Sequence, residues 1–354
     1  MKEKKMADEL LKVLRAVAPG KPLREGLENI LRAKTGGLVV IGDSPEVMEI
    51  TEGGFAINAD FTPAGLYELA KMDGAIILSK NARKILAANT QLVPDQSIPS
   101  SETGIRHRSA ERAAKQTDTL VISISQRRGV ITTYKGPLKY VLKDLSVLLT
   151  KANQAIQTLE KYRSVLDKVL LGLNALEFVD AVTLFEVAKA IQRVEMVLRV
   201  VREIDSYISE LGSEGRLIMM QKEELVAGVE DEGLLVIQDY AMTMGEITPS
   251  DILNIIRSLP AEDLLDLALI SRALGYPGSA SILDQHVSPR GYRILEKIPR
   301  LPLPVIDNLV KTFGTLSRII IATLEELDRV EGIGEVRARS IKEGLTRFSE
   351  QFIQ

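Results

Sequence analysis

Residues 66–79, LYELAKMDGAIILS, change character at their midpoint. Thr62 followed by Pro63 is a cap-then-proline start, so TPAGLYELAKM (62–72) predicts a helix. Asp73-Gly74 is a common turn dipeptide, and the apolar run that follows it predicts a strand. A helix passing through a tight turn into an apolar strand is the unit of an α/β domain. The same texture extends outward in both directions. GGLVVIG (36–42), DGAIILS (73–79), KILAANTQLV (84–93) and TLVISISQRRGVITTYKG (119–136) read as β-rich runs, the last folding back at Gly129 after a polar QRR turn. Residues 1–148 are therefore expected to form a mixed-sheet α/β domain.

The rest of the chain differs. Between 149 and 288, Ile156, Leu159, Leu166, Leu170 and Leu173 recur at helical spacing, as do Val194, Val197, Val201 and Ile204, which predicts a helical bundle or spine. EMVLRVVREI is read as core packing rather than a cofactor helix, and the two glycines of LGSEGRLIMMQ predict a helix break. The opening MKEKKMADELLKVLRAVAPG reads as an amphipathic helix of a cytoplasmic protein. No run approaches the roughly 18–20 apolar residues of a membrane span. The chain has 354 residues, 45% of them hydrophobic and 26% charged, and suits two or three globular domains. It has no cysteine, which excludes disulfides, thiolate nucleophiles and cysteine-bound zinc. With a net charge of -3, any binding of nucleic acid must be local.

Residues 289–354 contain LDRVEGIGEVRARSIKEGL (327–345). Gly332 and Gly334 flank Ile333 between two short helical patterns, and Arg337, Arg339 and Lys342 follow on the second. Spacing alone fits two arrangements: a phosphate-binding hairpin with exposed backbone N–H groups, or an ordinary helix turn whose cations pair with Glu331, Glu335 and Glu343. VEGIGEVRARSI resembles a helix-hairpin-helix motif, and IPRLPLPVIDNLVKTFGTLSRI (298–319) resembles a degenerate companion, in which Pro302 and Pro304 cannot donate amides. Such modules bind DNA backbone phosphates without reading bases. A side chain at Gly334 is expected to block close approach and to strain the backbone.

One of the two histidines sits in SSETGIRHRSAERAAKQ (100–116), where Arg106 and Arg108 flank His107. Neighbouring cations disfavour protonation of the ring, so the cluster makes better sense around a bound anion. Two arginines at a helix start suit a polyphosphate, and the Asp73 carboxylate suits a hard cation such as magnesium, which together suggest a metal nucleotide. There is no G-x-x-x-x-G-K-[ST] cradle, and the glycine pairs at 36 and 53 make no dinucleotide fingerprint. His286, in LDQHVSPRGYR, reads as a linker or interface residue.

DGA at 73–75 followed by RHR at 106–108 resembles the diadenylate cyclase domain, and LYELAKMDGAIILS and SSETGIRHRSAERAAKQT extend the likeness. With a helical spine and terminal hairpins behind it, the order of parts resembles the DNA integrity scanning family over essentially the whole chain. The resemblance implies condensation of two ATP molecules into cyclic di-AMP, a second messenger, by a homo-octamer whose cyclase domains face one another. It implies that Asp73 binds Mg2+ or Mn2+ and helps deprotonate the attacking ribose hydroxyl, and that Gly74 and Ala75 let the backbone approach the nucleotide. It further implies that Arg106, His107 and Arg108 hold phosphates, with Ser109, Ser125 and Arg128 adding contacts, and that the backbone at Leu92 meets adenine. The partners implied are ATP and branched or damaged DNA, in a cytoplasmic protein associated with the nucleoid. A competing class is a DNA-binding protein that only senses ATP or cyclic di-AMP. The two divide at Asp73, since sensing needs no metal-held nucleophile. A repair nuclease or ligase ranks behind both, for want of clustered carboxylates or a nucleotidyl-lysine motif.

Overall fold

The structure is a computed structural model and describes residues 2–242 and 247–352. The chain forms two compact units, one of residues 1–154 with 205–219, the other of residues 155–204 with 220–354. Helices α1 (Lys2–Ala16) and α2 (Pro22–Arg32) open the first unit, followed by β1 (Gly37–Ile41), α3 (Pro45–Glu49), β2 (Thr51–Glu52) and β3 (Phe55–Asp60). Next come α4 (Pro63–Leu69), β4 (Ala75–Leu78), β5 (Lys84–Leu92), α5 (Ile105–Thr117), β6 (Leu120–Ser125), β7 (Val130–Lys135) and β8 (Leu138–Val141). The side chains of α1 before position 9 lie outside the described residues, but Val13 and Leu14 are buried, as is Val17 just after the helix, as an amphipathic segment requires.

The strands join in the order β2-β5-β4-β1-β6-β7-β8, with β3 also on β5. Among the described residues only β1 and β4 run parallel, and α4 lies on the crossover between them. The β1 pairing with β6 is antiparallel, which makes the sheet mixed. The central strands are continuously apolar because both faces are covered. Val39, Ile76, Leu78, Ile122 and Ile124 pack under Leu23, Leu27 and Ile30 of α2 and Leu66 of α4. Their alternates Leu38, Val40, Ala75, Ile77 and Val121 pack under Val47 of α3 and Ala110, Ala113 and Ala114 of α5. Each fully buried aliphatic side chain is worth about 1.5–3 kcal/mol, so a one-residue register slip would exchange two complete faces. Thr62 does cap α4, its hydroxyl accepting the Gly65 N–H at 2.9 Å. Gly129 does close the β6–β7 hairpin, with φ +62.

The long helices α6 (Leu145–Phe178) and α7 (Leu184–Leu211) carry the predicted stripes, with Ile156, Leu159, Leu166, Leu173, Val194, Val197 and Ile204 buried and Leu170 and Val201 half-buried. After α7 the predicted break is a short 3-10 turn, Gly212–Gly215, before α8 (Arg216–Val226). Gly212 has φ +55, and a side chain there would meet the Pro19 carbonyl at 2.7 Å. The second unit continues with α9 (Val229–Tyr240), α10 (Pro249–Ser258), α11 (Leu267–Ala273) and α12 (Tyr292–Glu296). It ends with α13 (Leu303–Phe313), α14 (Leu316–Ile321), α15 (Leu324–Asp328) and α16 (Glu335–Phe352). A buried apolar core including Leu235 of α9, Leu295 of α12, Ile306, Leu309, Leu327 and Ile341 gathers the last helices together. No helix among the described residues is long and apolar enough to cross a membrane.

Candidate functional site

Strand β4 ends its N-terminal side in Gly74, whose φ of +99 no ordinary side chain tolerates; a Cβ there would also stand 2.8 Å from the Thr90 carbonyl. The neighbouring strand β5 gives way at the same level. Its pairing with β4 shifts register between Ala75 and Ile77, and Asn89 has φ 54. Bulges of this kind end regular pairing and open space beside a sheet. The space is a cavity of about 510 Å³ lined by Leu38, Asp73, Gly74, Ala75, residues 89–92, Ile105, Arg106 and Ser109. Six of the residues singled out from the sequence thus meet at one cavity: Asp73, Gly74, Ala75, Leu92, Arg106 and Ser109.

Arg106 reaches the cavity because of a residue not singled out. A Cβ at Gly36 would fall 1.8 Å from the Arg106 guanidinium, so the bare backbone ahead of β1 is the seat of that side chain. Arg106 Nη2 then lies 3.8 Å from Asp73 Oδ1, and the Asp73 side chain is fully exposed. One cation and one carboxylate face the same volume without being consumed by each other. We expect Gly36→Ala to leave the melting temperature unchanged, since only the tip of a flexible arginine must move. For an anion bound in the cavity, such as inorganic pyrophosphate, the displaced guanidinium should raise the dissociation constant about tenfold or more, the worth of a charge-assisted hydrogen bond of at least ~1.5 kcal/mol. An unchanged dissociation constant would show that Arg106 does not need this seat.

Successive helical residues are about 100° apart, so Arg106, His107 and Arg108 cannot share a face. His107 turns inward and is buried, Nδ1 lying 3.0 Å from the Tyr134 hydroxyl of β7. Arg108 stays outside and donates to the Glu102 and Thr103 carbonyls at 3.4 and 3.2 Å. The cations expected to crowd the imidazole therefore diverge from it at the helix surface. Burial is the main influence lowering the His107 pKa, opposed by Glu102 and reinforced by Arg128, Lys139 and Arg106. Ser125 and Arg128 lie on the β6–β7 hairpin, where Ser125 Oγ accepts the Arg128 N–H at 3.1 Å and the Arg128 guanidinium stands 3.5 Å from Glu102. Arg108 and Arg128 gather around Glu102, His107 joins it through Tyr134, Ser125 holds the Arg128 backbone, and none of the four is among the residues that line the cavity.

Glu102 was not read from the sequence. Its carboxylate accepts from Tyr134 Oη at 2.8 Å and Lys139 Nζ at 2.6 Å. Burial alone would raise its pKa, but these two donors outweigh burial and bring it down to about 2. The loop from β5 to α5 is tied to the helix by Arg112 donating to the Ile98 carbonyl, Lys115 to the Pro99 carbonyl, and Ser100 Oγ and the Ser101 N–H to Glu111. The start of α5 is thus pinned along its length.

Among the described residues no three acidic or histidine side chains cluster as a metal cage. Magnesium usually takes one or two carboxylates and completes its shell with phosphates and water, and a single exposed carboxylate at a cavity wall beside a cation fits that habit.

At the other end of the chain, α15 and α16 pack against each other around residues 329–334. Gly332 has φ +86; Gly334 does not share that constraint, and a side chain there would meet nothing within 4 Å. The strain expected at Gly334 belongs to Gly332, because the turn needs only one left-handed residue. Ile333 is buried. Arg337 donates to the Gly332 carbonyl at 2.5 Å, Arg339 pairs with Glu335 at 2.8 Å, and Lys342 donates to the Ile320 carbonyl at 2.7 Å. In the companion segment Arg300 takes the left-handed conformation, φ 65, and Pro302 caps α13. His286 pairs with Thr183 in an isolated bridge and lies 2.7 Å from the Asp180 carbonyl, a connecting role.

Residues 24–137 match the profile described as DisA bacterial checkpoint controller nucleotide-binding, and residues 142–283 the profile described as DisA bacterial checkpoint controller linker region. The chain is 71% identical to the DNA integrity scanning protein DisA of Carboxydothermus hydrogenoformans, over 98% of this chain and 99% of the relative. It is 59% identical to the protein of the same name from Clostridium kluyveri, over 98% and 97%. On these matches the chain belongs to the DisA family of bacterial checkpoint controllers.

Proposed function

We propose that this protein is a diadenylate cyclase whose synthesis of cyclic di-AMP responds to DNA held by its C-terminal hairpins. The observation that carries the first half is the meeting of Asp73, Gly74, Ala75, Leu92, Arg106 and Ser109 at one cavity. Its volume suits one nucleotide-sized ligand. The bare Gly74 and the bulged β5 backbone receive the adenosine, and Arg106 with Ser109 at the start of α5 faces the phosphates. A divalent cation held by Asp73 and the phosphates would supply charge against the electrons developing on the α-phosphate. Asp73 accepts the proton of the 3′-hydroxyl as that oxygen attacks the α-phosphorus of the second ATP. Two new ester bonds form, two phosphoanhydride bonds break, and two pyrophosphates leave. One cavity holds one nucleotide, so a second copy of the domain must supply the other across a symmetric interface, which makes assembly part of the mechanism. The resemblance puts that assembly at an octamer.

Incubation of the purified protein with ATP and Mg2+ or Mn2+, followed by chromatography, should yield cyclic di-AMP and pyrophosphate. Tight ATP binding with no product would favour the sensor instead. The second half rests on the glycine turn between α15 and α16, which we read as a helix-hairpin-helix contact for DNA phosphates. Gly332, Ile333 and Gly334 would make the approach, with Arg337, Arg339 and Lys342 nearby. The last three already hold intramolecular bonds, so backbone N–H groups carry more of the contact than their charges do. Branched DNA, able to engage more than one module, should lower synthesis more than linear duplex at one fixed low salt concentration. Gly334→Leu should remove the response and leave basal synthesis intact, because its side chain enters open space. Inhibition that survives in this variant would clear the hairpin of the role.

A further inference from the structure

Tyr134 has one hydroxyl proton and two polar neighbours, the Glu102 carboxylate at 2.8 Å and His107 Nδ1 at 3.0 Å. An ionised carboxylate only accepts, so the tyrosine proton belongs to Glu102. The tyrosine oxygen must then accept from His107, which places the ring proton on Nδ1. In a neutral imidazole the other nitrogen carries a lone pair, and His107 Nε2 is buried with no hydrogen-bond partner. Burial favours the neutral ring, and the charges facing it pull in both directions. Arg128 from the hairpin, Lys139 from β8 and Arg106 from α5 disfavour a second proton, Glu102 favours it, and Tyr134 from β7 fixes the tautomer. Tyr134 is itself almost completely buried, and Glu102 is gripped by Lys139 at 2.6 Å, so neither partner is free to turn away. His107 Nε2 is one of several buried polar atoms without a protein partner among the described residues, and its fixed tautomer beside several cations sets it apart from the others.

We propose that Glu102 and Tyr134 are positioning residues for the cyclisation reaction: they lock His107, beneath the first turn of α5 that carries Arg106 and Ser109 to the cavity, with Nδ1 protonated and Nε2 as its one atom without a partner. The kinetic consequence rests on the function proposed above; the tautomer does not. A neutral Nε2 accepts a hydrogen bond. It donates one only after taking a proton, which Glu102, two hydrogen bonds away, then stabilises. Partners that orient metal-bound histidines typically contribute about 10–100-fold in activity, and the same range is expected here.

The chain has only two histidines, so the full-length protein labelled with 15N-histidine and sedimented for solid-state NMR gives two separable rings. His107 should show a protonated Nδ1 and an unprotonated Nε2 near neutral pH. A protonated Nε2 in the unmutated protein would overturn the proposal whatever the protein catalyses. Tyr134→Phe should mix the tautomers and lower kcat about 10–100-fold, with KM for ATP changed far less. Glu102→Gln still offers an oxygen to Tyr134 and should keep the tautomer, while loss of the anion moves the acid limb of the kcat profile to lower pH. A folded Tyr134→Phe protein with unaltered kcat would remove Tyr134 from the reaction. An acid limb unmoved in Glu102→Gln would remove Glu102.

Discussion

Asp73→Asn should give a folded protein that makes no measurable cyclic di-AMP. The Asp73 side chain is fully exposed, and its one ion pair is with Arg106 at 3.8 Å. Exposed pairs of this kind contribute at most about 1 kcal/mol, so the melting temperature should barely move. In the proposed mechanism, chemistry depends on the charge in another way. An amide keeps the shape of the carboxylate but is a poor ligand for a hard cation and no acceptor for the 3′-hydroxyl proton. Removal of a general base alone costs about 10²–10⁴-fold, and loss of the metal contact adds to it. Chromatography of products from matched amounts of both proteins measures the difference. Undiminished synthesis by the folded variant would remove Asp73 from the mechanism. ATP binding followed separately should fall much less, because Arg106, Ser109 and the β5 backbone remain.

The second large effect concerns stability. Arg293 of α12 has no exposed surface, and its Nη2 bonds Glu177 of α6 at 2.5 Å. Glu177 also accepts from the Tyr240 hydroxyl at 2.8 Å. Burial pushes the Glu177 pKa upward, and the guanidinium opposes that rise. Next to this pair, Asp239 accepts the backbone N–H groups of Gly291, Tyr292 and Arg293 at 2.7, 2.7 and 3.1 Å, ordering the start of α12. Arg293→Ala should therefore destabilise the second unit by about 3–5 kcal/mol, because it strands a buried carboxylate as well as leaving a void. Hydrogen exchange of the α12 amides would read this locally, without assuming two-state unfolding of a large chain. The double replacement Arg293→Met with Glu177→Leu should regain only part of the loss, since two apolar side chains need no partners but the buried Tyr240 hydroxyl loses its acceptor. A single variant as stable as the parent would mean that the pair is compensated elsewhere.

Much of this was legible in the sequence, for identifiable reasons. Strands β1, β4, β5, β6 and β7 announce themselves because the sheet is covered on both faces and its centre must be apolar. Strands β2 and β3 do not. They share one edge of β5, interrupted by Gly53 and Gly54 with φ +65 and +82, and the residues of β3 are mostly exposed, so no hydrophobic pattern marks them. Strand β8 is four residues long and half exposed, below what periodicity detects. At the site, Asp73, Gly74 and Arg106 were visible because the turn and the helix start are local features. Glu102 and Gly36 were not, because their importance lies in partners far along the chain: Tyr134 for one, the tip of Arg106 for the other. Lys342 shows the opposite failure. As a charge on a helix it reads as free, yet the fold spends it on the end of α14.

The way α5 sends Arg106, His107 and Arg108 to cavity, interior and surface has a consequence for how this protein can vary. Exchanging the first two letters, RHR to HRR, would conserve composition, charge and helix propensity. It would nonetheless put a guanidinium where the fold has room for a ring and take the cation from the cavity. Losing one residue between the anchored loop and the first turn would rotate all three together by about 100°. Substitutions damage one environment at a time, while a shift in frame damages three. Length in this short stretch is therefore under tighter physical constraint than identity, and lineages can exchange Ser109 for another small hydroxyl far more easily than they can gain or lose a residue before it.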